Sequence, residues 1–112
     1  MHEMALCESL VAIIEERAMA GRFRQVYSVS LDVGVLAGVE IEALRFGFRA
    51  VARGTVADGA ELKIHAATAH ARCSSCQWEE HVTEPLILCP ACGGLLYMTG
   101  GRELRISEME VE

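Results

Sequence analysis

The sequence predicts an α+β fold: a small three-stranded sheet covered by two helices, with a four-cysteine ribbon inserted before the last strand. Three observations carry this expectation. Apolar residues recur at helical spacing in two segments, and they alternate with polar residues in three others. Four of the five cysteines crowd into one short stretch that also holds both prolines.

Residues 4–20 form the first expected helix. Leu6, Leu10, Ile13, Ile14 and Ala18 fall three or four residues apart, Glu8, Glu15, Glu16 and Arg17 can face water, and Gly21 ends the helix. The period then changes to two. Tyr27, Val29, Leu31, Val33 and Val35 alternate with Ser28, Ser30, Asp32 and Gly34, the pattern of a half-buried strand. Gly34 and Gly38 break the chain before a second helix over residues 40–52, whose apolar face is Ile41, Leu44, Phe48 and Val51 and which Gly54 closes. Asp58-Gly59 marks a turn, after which Leu62, Ile64 and Ala66 alternate with Lys63 and His65 in a second strand.

Residues 72–101 carry the clustered cysteines, Pro85, Pro90 and a Gly-Gly pair, and read as an inserted metal module. A third strand follows over residues 103–111. Leu104 and Ile106 alternate there before Met109 and Val111 shift phase, so a bulge is expected. Because the insert interrupts a sheet, its ends are expected to lie close together. The implied domains are 1–71 plus 102–112, and 72–101.

Composition narrows the function. The chain has 112 residues and 52% apolar content, enough for one compact domain with a small appendage and too much for disorder. No apolar run approaches the roughly 20 residues that span a bilayer. Glu3 and Glu8 stand where a secretion signal would be basic, so a cytoplasmic protein that does not bind membranes is expected. In that compartment thiols stay reduced, which points the cysteines toward metal. A net charge of -6 argues against general nucleic-acid binding, since phosphate contacts need basic surface.

The cysteines stand as Cys73-Ser74-Ser75-Cys76 and Cys89-Pro90-Ala91-Cys92-Gly93. Each C-x-x-C pair wraps a tight turn that aims two sulfurs at one point, and a hairpin between the pairs can close a tetrahedral thiolate cage. Zn(II) fits that donor set. With four thiolates it has no vacant position for an activated water, so the site is structural. The alternatives are an iron–sulfur cluster and a thioredoxin-like redox pair, and the latter needs only one C-x-x-C, usually at the start of a helix in a larger βαβ fold. Trp78 and Tyr97 are expected to pack beside the site. Cys7, inside the first helix and without a ligand partner at helical spacing, reads as a small buried apolar residue.

The plain reading of His2 is an exposed histidine at a frayed end. Its chemistry offers another. Methionine aminopeptidases prefer a small second residue, so the bulky His2 is expected to leave Met1 in place. The Met1 amine, the His2 backbone nitrogen and a His2 ring nitrogen would then close adjacent chelate rings. Nitrogen-rich, square-planar geometry suits Ni(II) or Cu(II). Three nitrogens leave room for a further ligand and for handing the ion on, and protons compete with the metal for them.

Met1-His2-Glu3-Met4 opening an amphipathic helix resembles the hydrogenase maturation nickel chaperone family called HypA (or HybF). So do Gly34-Val35-Leu36 with Val39-Glu40, the stretch Leu44-Arg45-Phe46-Gly47-Phe48, the run from Arg53-Gly54-Thr55 to Asp58-Gly59-Ala60, and the paired C-x-x-C ribbon. The resemblance covers nearly the whole chain. It implies a nickel site at Met1, His2 and Glu3, and zinc on Cys73, Cys76, Cys89 and Cys92. It further implies that Glu3 takes part in contact with the GTPase HypB. The implied role is delivery of Ni(II) to the large subunit of [NiFe]-hydrogenase and, in some bacteria, to urease. Many members carry an acidic residue where this chain has Val35. Some relatives recruit a histidine from the zinc module, for which His81 is the candidate between the cysteine pairs here. His65, His70 and His81 otherwise read as surface histidines.

Two other classes remain to be weighed. A zinc-ribbon module binding nucleic acid or a transcription complex would draw on Arg72, Arg102 and Arg105, against the acidic balance. An enzyme would need an open coordination position, which four thiolates deny, or a catalytic set such as Ser/His/Asp, which does not stand out.

Overall fold

The computed structural model describes residues 3–112. Its organising strand is β1 (Val26–Gly34), the middle member of a three-stranded sheet ordered β2-β1-β6, with β2 spanning Glu61–Ala67 and β6 Leu104–Val111. A middle strand is flanked on both edges, and here it is covered on both faces along most of its length. Val29, Leu31 and Val33 are buried as the alternation predicts. Ser28 and Ser30 are buried as well, while Tyr27, expected to face inward, is 51% exposed at the start of the strand. The buried Ser28 hydroxyl is satisfied by donating to Glu110 Oε1 at 2.6 Å, and Lys63 Nζ meets the same oxygen at 3.0 Å.

The three strands of this sheet and the two helices are those the periodicity predicts. A second three-stranded sheet, ordered β4-β3-β5, adds what the sequence left undetailed. Its strands β3 (Ala69–Cys73), β4 (Glu79–Val82) and β5 (Leu96–Gly100) pair antiparallel. The chain divides into two compact units. One takes in the residues up to Leu31 with Val39–Ile64 and Ile106–Glu112, and the other Asp32–Gly38 with His65–Arg105. The second unit contains all of residues 72–101 and reaches past them on both sides.

In the first unit, α1 (Glu3–Gly21) buries Cys7, Leu10, Val11, Ile14 and Ala18, one stripe at three- and four-residue spacing. Ile13, expected on that face, is instead 39% exposed, because the stripe runs through Cys7 and Val11. α2 (Ile41–Val51) packs on α1 with Leu44, Gly47 and Phe48. It starts where Glu40 caps it: the Glu40 side chain accepts from the Glu42 N–H at 3.2 Å. A second carboxylate joins there, since Glu3 Oε2 accepts from the Glu40 N–H at 3.1 Å. The start of α1 is thereby tied to the start of α2, where the helix dipole favours negative charge. Cys7 Sγ donates to the Leu44 carbonyl at 3.3 Å. Burial pushes its thiol up, with Glu3 and Glu8 adding to the effect, so Cys7 packs as a neutral thiol and not as a metal ligand.

The second unit has a smaller core. Ala69, Ala71 and Val82 are buried there, and Val35, Leu36, Trp78, Leu86, Leu96 and Met98 pack against them. Val35 is therefore part of an apolar cluster. Its N–H also donates to the Ala67 carbonyl at 3.0 Å. In β6 the half-buried positions run Leu104, Ile106, then Met109, the change of phase read from the sequence. Among the described residues no helix is long and apolar enough to cross a membrane.

Helix packing here depends on Gly47, since a Cβ at that position would lie 2.9 Å from Cys7 Sγ. Alanine's better helix propensity, about 1 kcal/mol, works against an overpacking cost of about 1–3 kcal/mol. Gly47→Ala is therefore expected to lose roughly 1–2 kcal/mol in chemical denaturation, with partial recovery in Cys7→Ala/Gly47→Ala. A single variant more stable than the parent contradicts the packing described.

Candidate metal centre

The site grows from two turns. Cys73 ends β3, and the chain reverses through Ser74, Ser75, Cys76 and Gln77 into β4, with the Cys73 N–H donating to the Trp78 carbonyl at 2.9 Å. The second turn is closed by Cys89 N–H to Gly94 O at 2.7 Å and Gly93 N–H to Cys89 O at 2.9 Å, between the bridged pair Leu88 and Leu95. Gly93 takes a positive φ of 79°, which glycine adopts without the cost of a Cβ. Ser74 joins the two turns: its N–H and its hydroxyl both donate to Leu95 O, at 3.0 and 2.8 Å.

These turns bring the sulfurs of Cys73, Cys76, Cys89 and Cys92 within 4.8 Å of one another. Cys73 and Cys92 Sγ stand 3.5 Å apart, and Cys76 and Cys89 Sγ 3.7 Å apart. A tetrahedron with zinc–sulfur bonds of about 2.3 Å has edges of about 3.8 Å, so the spacing suits a zinc ion. Main-chain amides point at the sulfurs. Ser75 and Cys76 N–H reach Cys73 Sγ at 3.3 Å each, Trp78 N–H reaches Cys76 at 3.4 Å, Ala91 N–H reaches Cys89 at 3.3 Å, and Gly94 N–H reaches Cys92 at 3.4 Å. Such donors stabilise thiolates. They are backbone groups, so nothing in the side-chain sequence announces them. Gly94 has a steric role too, for a Cβ there would meet Ser75 Oγ at 2.9 Å and Cys92 Sγ at 3.3 Å.

The thiols divide a charge they cannot all carry. The Ser75 N–H, with help from Cys76 and Cys92, brings the Cys73 thiol down to about 6 against the opposing effect of burial. At Cys76 the Trp78 N–H lowers the value, but burial and the sulfurs of Cys73, Cys92 and Cys89 outweigh it, and the thiol is pushed up to about 12. Cys92 is also raised: the Gly94 N–H acts to lower it and is overcome chiefly by Cys73. Without metal, Cys73 is the sulfur favoured to ionise, while Cys76 and Cys92 are pushed to hold their protons. A dication would replace those protons.

Trp78 packs into the apolar cluster of the second unit. Tyr97 lies on the opposite face of the sheet beside Arg72, whose guanidinium carbon is 6.0 Å from the ring centre, and it borders the hollow next to Cys73 and Cys76. Of the residues the resemblance assigns to nickel, Met1 and His2 lie outside the described residues. Glu3 is described, and its carboxylate is bound to the start of α2. His65 is exposed.

The sequence matches the family described as "Hydrogenase/urease nickel incorporation, metallochaperone, hypA" over residues 1–111. The chain belongs to the HypA family. Among its curated relatives, hydrogenase maturation factor HypA of Azotobacter chroococcum is 45% identical over 100% of both chains, and that of Xanthobacter autotrophicus 46% over 99% of each. The solution structure of the Ni metallochaperone HypA from Helicobacter pylori superposes with a TM-score of 0.69 at 22% identity, covering 99% of this chain and 97% of that one, a likeness of fold. The family is one of nickel metallochaperones for hydrogenase maturation, and this member carries a four-cysteine site suited to zinc.

Because Cys76 and Cys92 hold their protons in the absence of metal, Zn(II) binding at pH 7 is expected to release about two protons or more. Apparent affinity should therefore rise with pH. Calorimetry in buffers of different ionisation enthalpy measures the count, and release of fewer than one proton contradicts the thiol states described.

Proposed function

We propose that this HypA-family chain binds Ni(II) through the Met1 amine, the His2 main-chain nitrogen and the His2 ring, and delivers it in the cytoplasm for maturation of [NiFe]-hydrogenase. The observation that carries the proposal is the family match starting at residue 1, which includes Met1-His2-Glu3. Glu3 supports it from the structural side. Its carboxylate bridges to the Glu40 N–H and so anchors the residue adjoining the chain end to a second helix. In this reading Glu3 positions the chelating end and adds negative charge near it, in the region proposed to meet the GTPase partner HypB.

We assign nickel handling to residues 1–71 plus 102–112 and zinc binding to the ribbon of residues 72–101. Cys73, Cys76, Cys89 and Cys92 hold Zn(II), which when bound supplies a cross-link and no reactive position. The ribbon amides orient the sulfurs, and Ser74 holds the two turns together. Delivery also asks for a weaker, more open site than storage does. Three nitrogens of one dipeptide leave coordination positions that a partner's ligands can enter. The large subunit of [NiFe]-hydrogenase is the proposed recipient, with urease a second in organisms that make it. No step of this function is catalytic on this chain.

Calorimetric titration with Ni(II) on untagged, zinc-loaded protein tests the reading. His2→Ala, or extra residues ahead of Met1, should abolish tight nickel binding while zinc content stays unchanged. Full nickel affinity in both variants contradicts it.

A further inference from the structure

The second unit carries a pair of histidines that neither the core nor the cysteine centre uses. Alternation along β3 sends Ala69 and Ala71 into the apolar cluster, and His70 and Arg72 to the opposite side of the sheet. Register then sets the neighbours on that side. His70 lies directly opposite His81 on β4 and Thr99 on β5, and Arg72 opposite Glu79 and Tyr97. The His70 and His81 ring centres are 5.3 Å apart with an interplanar angle of 61°. His70 Nε2 stands 3.7 Å from Glu79 Oε2.

Two imidazoles sharing one ion, with metal–nitrogen bonds of about 2.0–2.1 Å and an angle of 90–110° between them, have ring centres roughly 4.5–5.2 Å apart. The observed pair is within about a tenth of an ångström of that range. Main-chain groups close the ladder, so the sheet does not need the imidazole nitrogens. β3 is the middle strand, paired on both sides, and the spacing of the two rings is set without ordering a loop.

We propose that His70 and His81 form a second, sheet-borne site for a divalent transition ion, with Glu79 beside His70 adding negative charge, separate from the four-cysteine centre. Two imidazoles leave the other coordination positions to water. That is the chemistry of an exchangeable N/O site for Ni(II), shared with Cu(II) and Zn(II), and not of a structural cage. Arg72, on the same face, adds an opposing charge and holds affinity down, although its guanidinium lies toward Tyr97. A role as a holding site for nickel on its way through the protein rests on the nickel reading above; the binding itself does not.

The test uses zinc-loaded protein carrying extra residues ahead of Met1, so that the chain end cannot chelate. Ni(II) chloride is added while the imidazole proton resonances are followed by NMR. The His70 and His81 signals should broaden or shift together, at lower nickel than the His65 signal. His70→Gln should abolish the response at His81, His81→Gln the response at His70, and Glu79→Gln should weaken both with the amide spectrum otherwise retained. The proposal is overturned if His65 responds at the same nickel concentration, if either imidazole responds unchanged without the other, or if neither responds by about 1 mM nickel, the limit of weak specific binding. With the chain end blocked, failure here says nothing against nickel at the native terminus.

Discussion

Four sulfurs held within a few ångströms of one another are the constraint on which the second unit depends. Its own apolar cluster is slight: two alanines and a valine form its buried centre, and the larger side chains packed against them remain partly exposed. A cluster of that size removes little apolar surface from water and cannot by itself offset the entropy of ordering three short strands and two turns. Bringing four thiols together without metal adds a cost, because Cys73 ionises more readily while Cys76 and Cys92 are pushed the other way. Structural zinc sites contribute on the order of 10–16 kcal/mol in small peptides, enough to reverse that balance. A zinc ion bound there would be the part of the core that the side chains do not supply.

The first unit is held by ordinary packing. Ile14, Leu31, Leu44, Val26 and Val29 are fully buried, and the two helices close on each other at Gly47 and Cys7. At the edge of this packing, Glu3 spans from α1 to the Glu40 N–H. A helix that begins under such a bond gives the residues ahead of it a defined point of departure. The two metal functions then follow different physics. One site encloses its ion with thiolates, while the other is proposed to meet a few nitrogens at a chain end and to let the ion leave again.

Much of this was legible from period and spacing. The strands around Leu31, Leu62 and Ile106 and both helices announce themselves by apolar repeats, and the C-x-x-C spacing specifies the sulfur cage. What escaped has identifiable causes. Ser28 and Ser30 look like outward positions, but a middle strand is covered on both faces. Ile13 falls off the buried stripe, which runs through Cys7 and Val11, because three- and four-residue spacing alone admits neighbours on the edge of a helix face. The pairing of His70 with His81 was invisible because cross-strand register inside the insert is set by the turn at Cys73–Cys76, not by any repeat in the sequence. The amides that serve the sulfurs and the Glu3–Glu40 bond are main-chain features with no signature in side-chain order.

The central claim, that one sulfur-bound ion closes the second unit, is tested most directly by zinc K-edge X-ray absorption on the protein as isolated. The account predicts one zinc per chain with four sulfur neighbours at about 2.3 Å. A first shell containing nitrogen or oxygen in place of any sulfur, or protein that keeps the β4-β3-β5 sheet with no zinc at all, would contradict it.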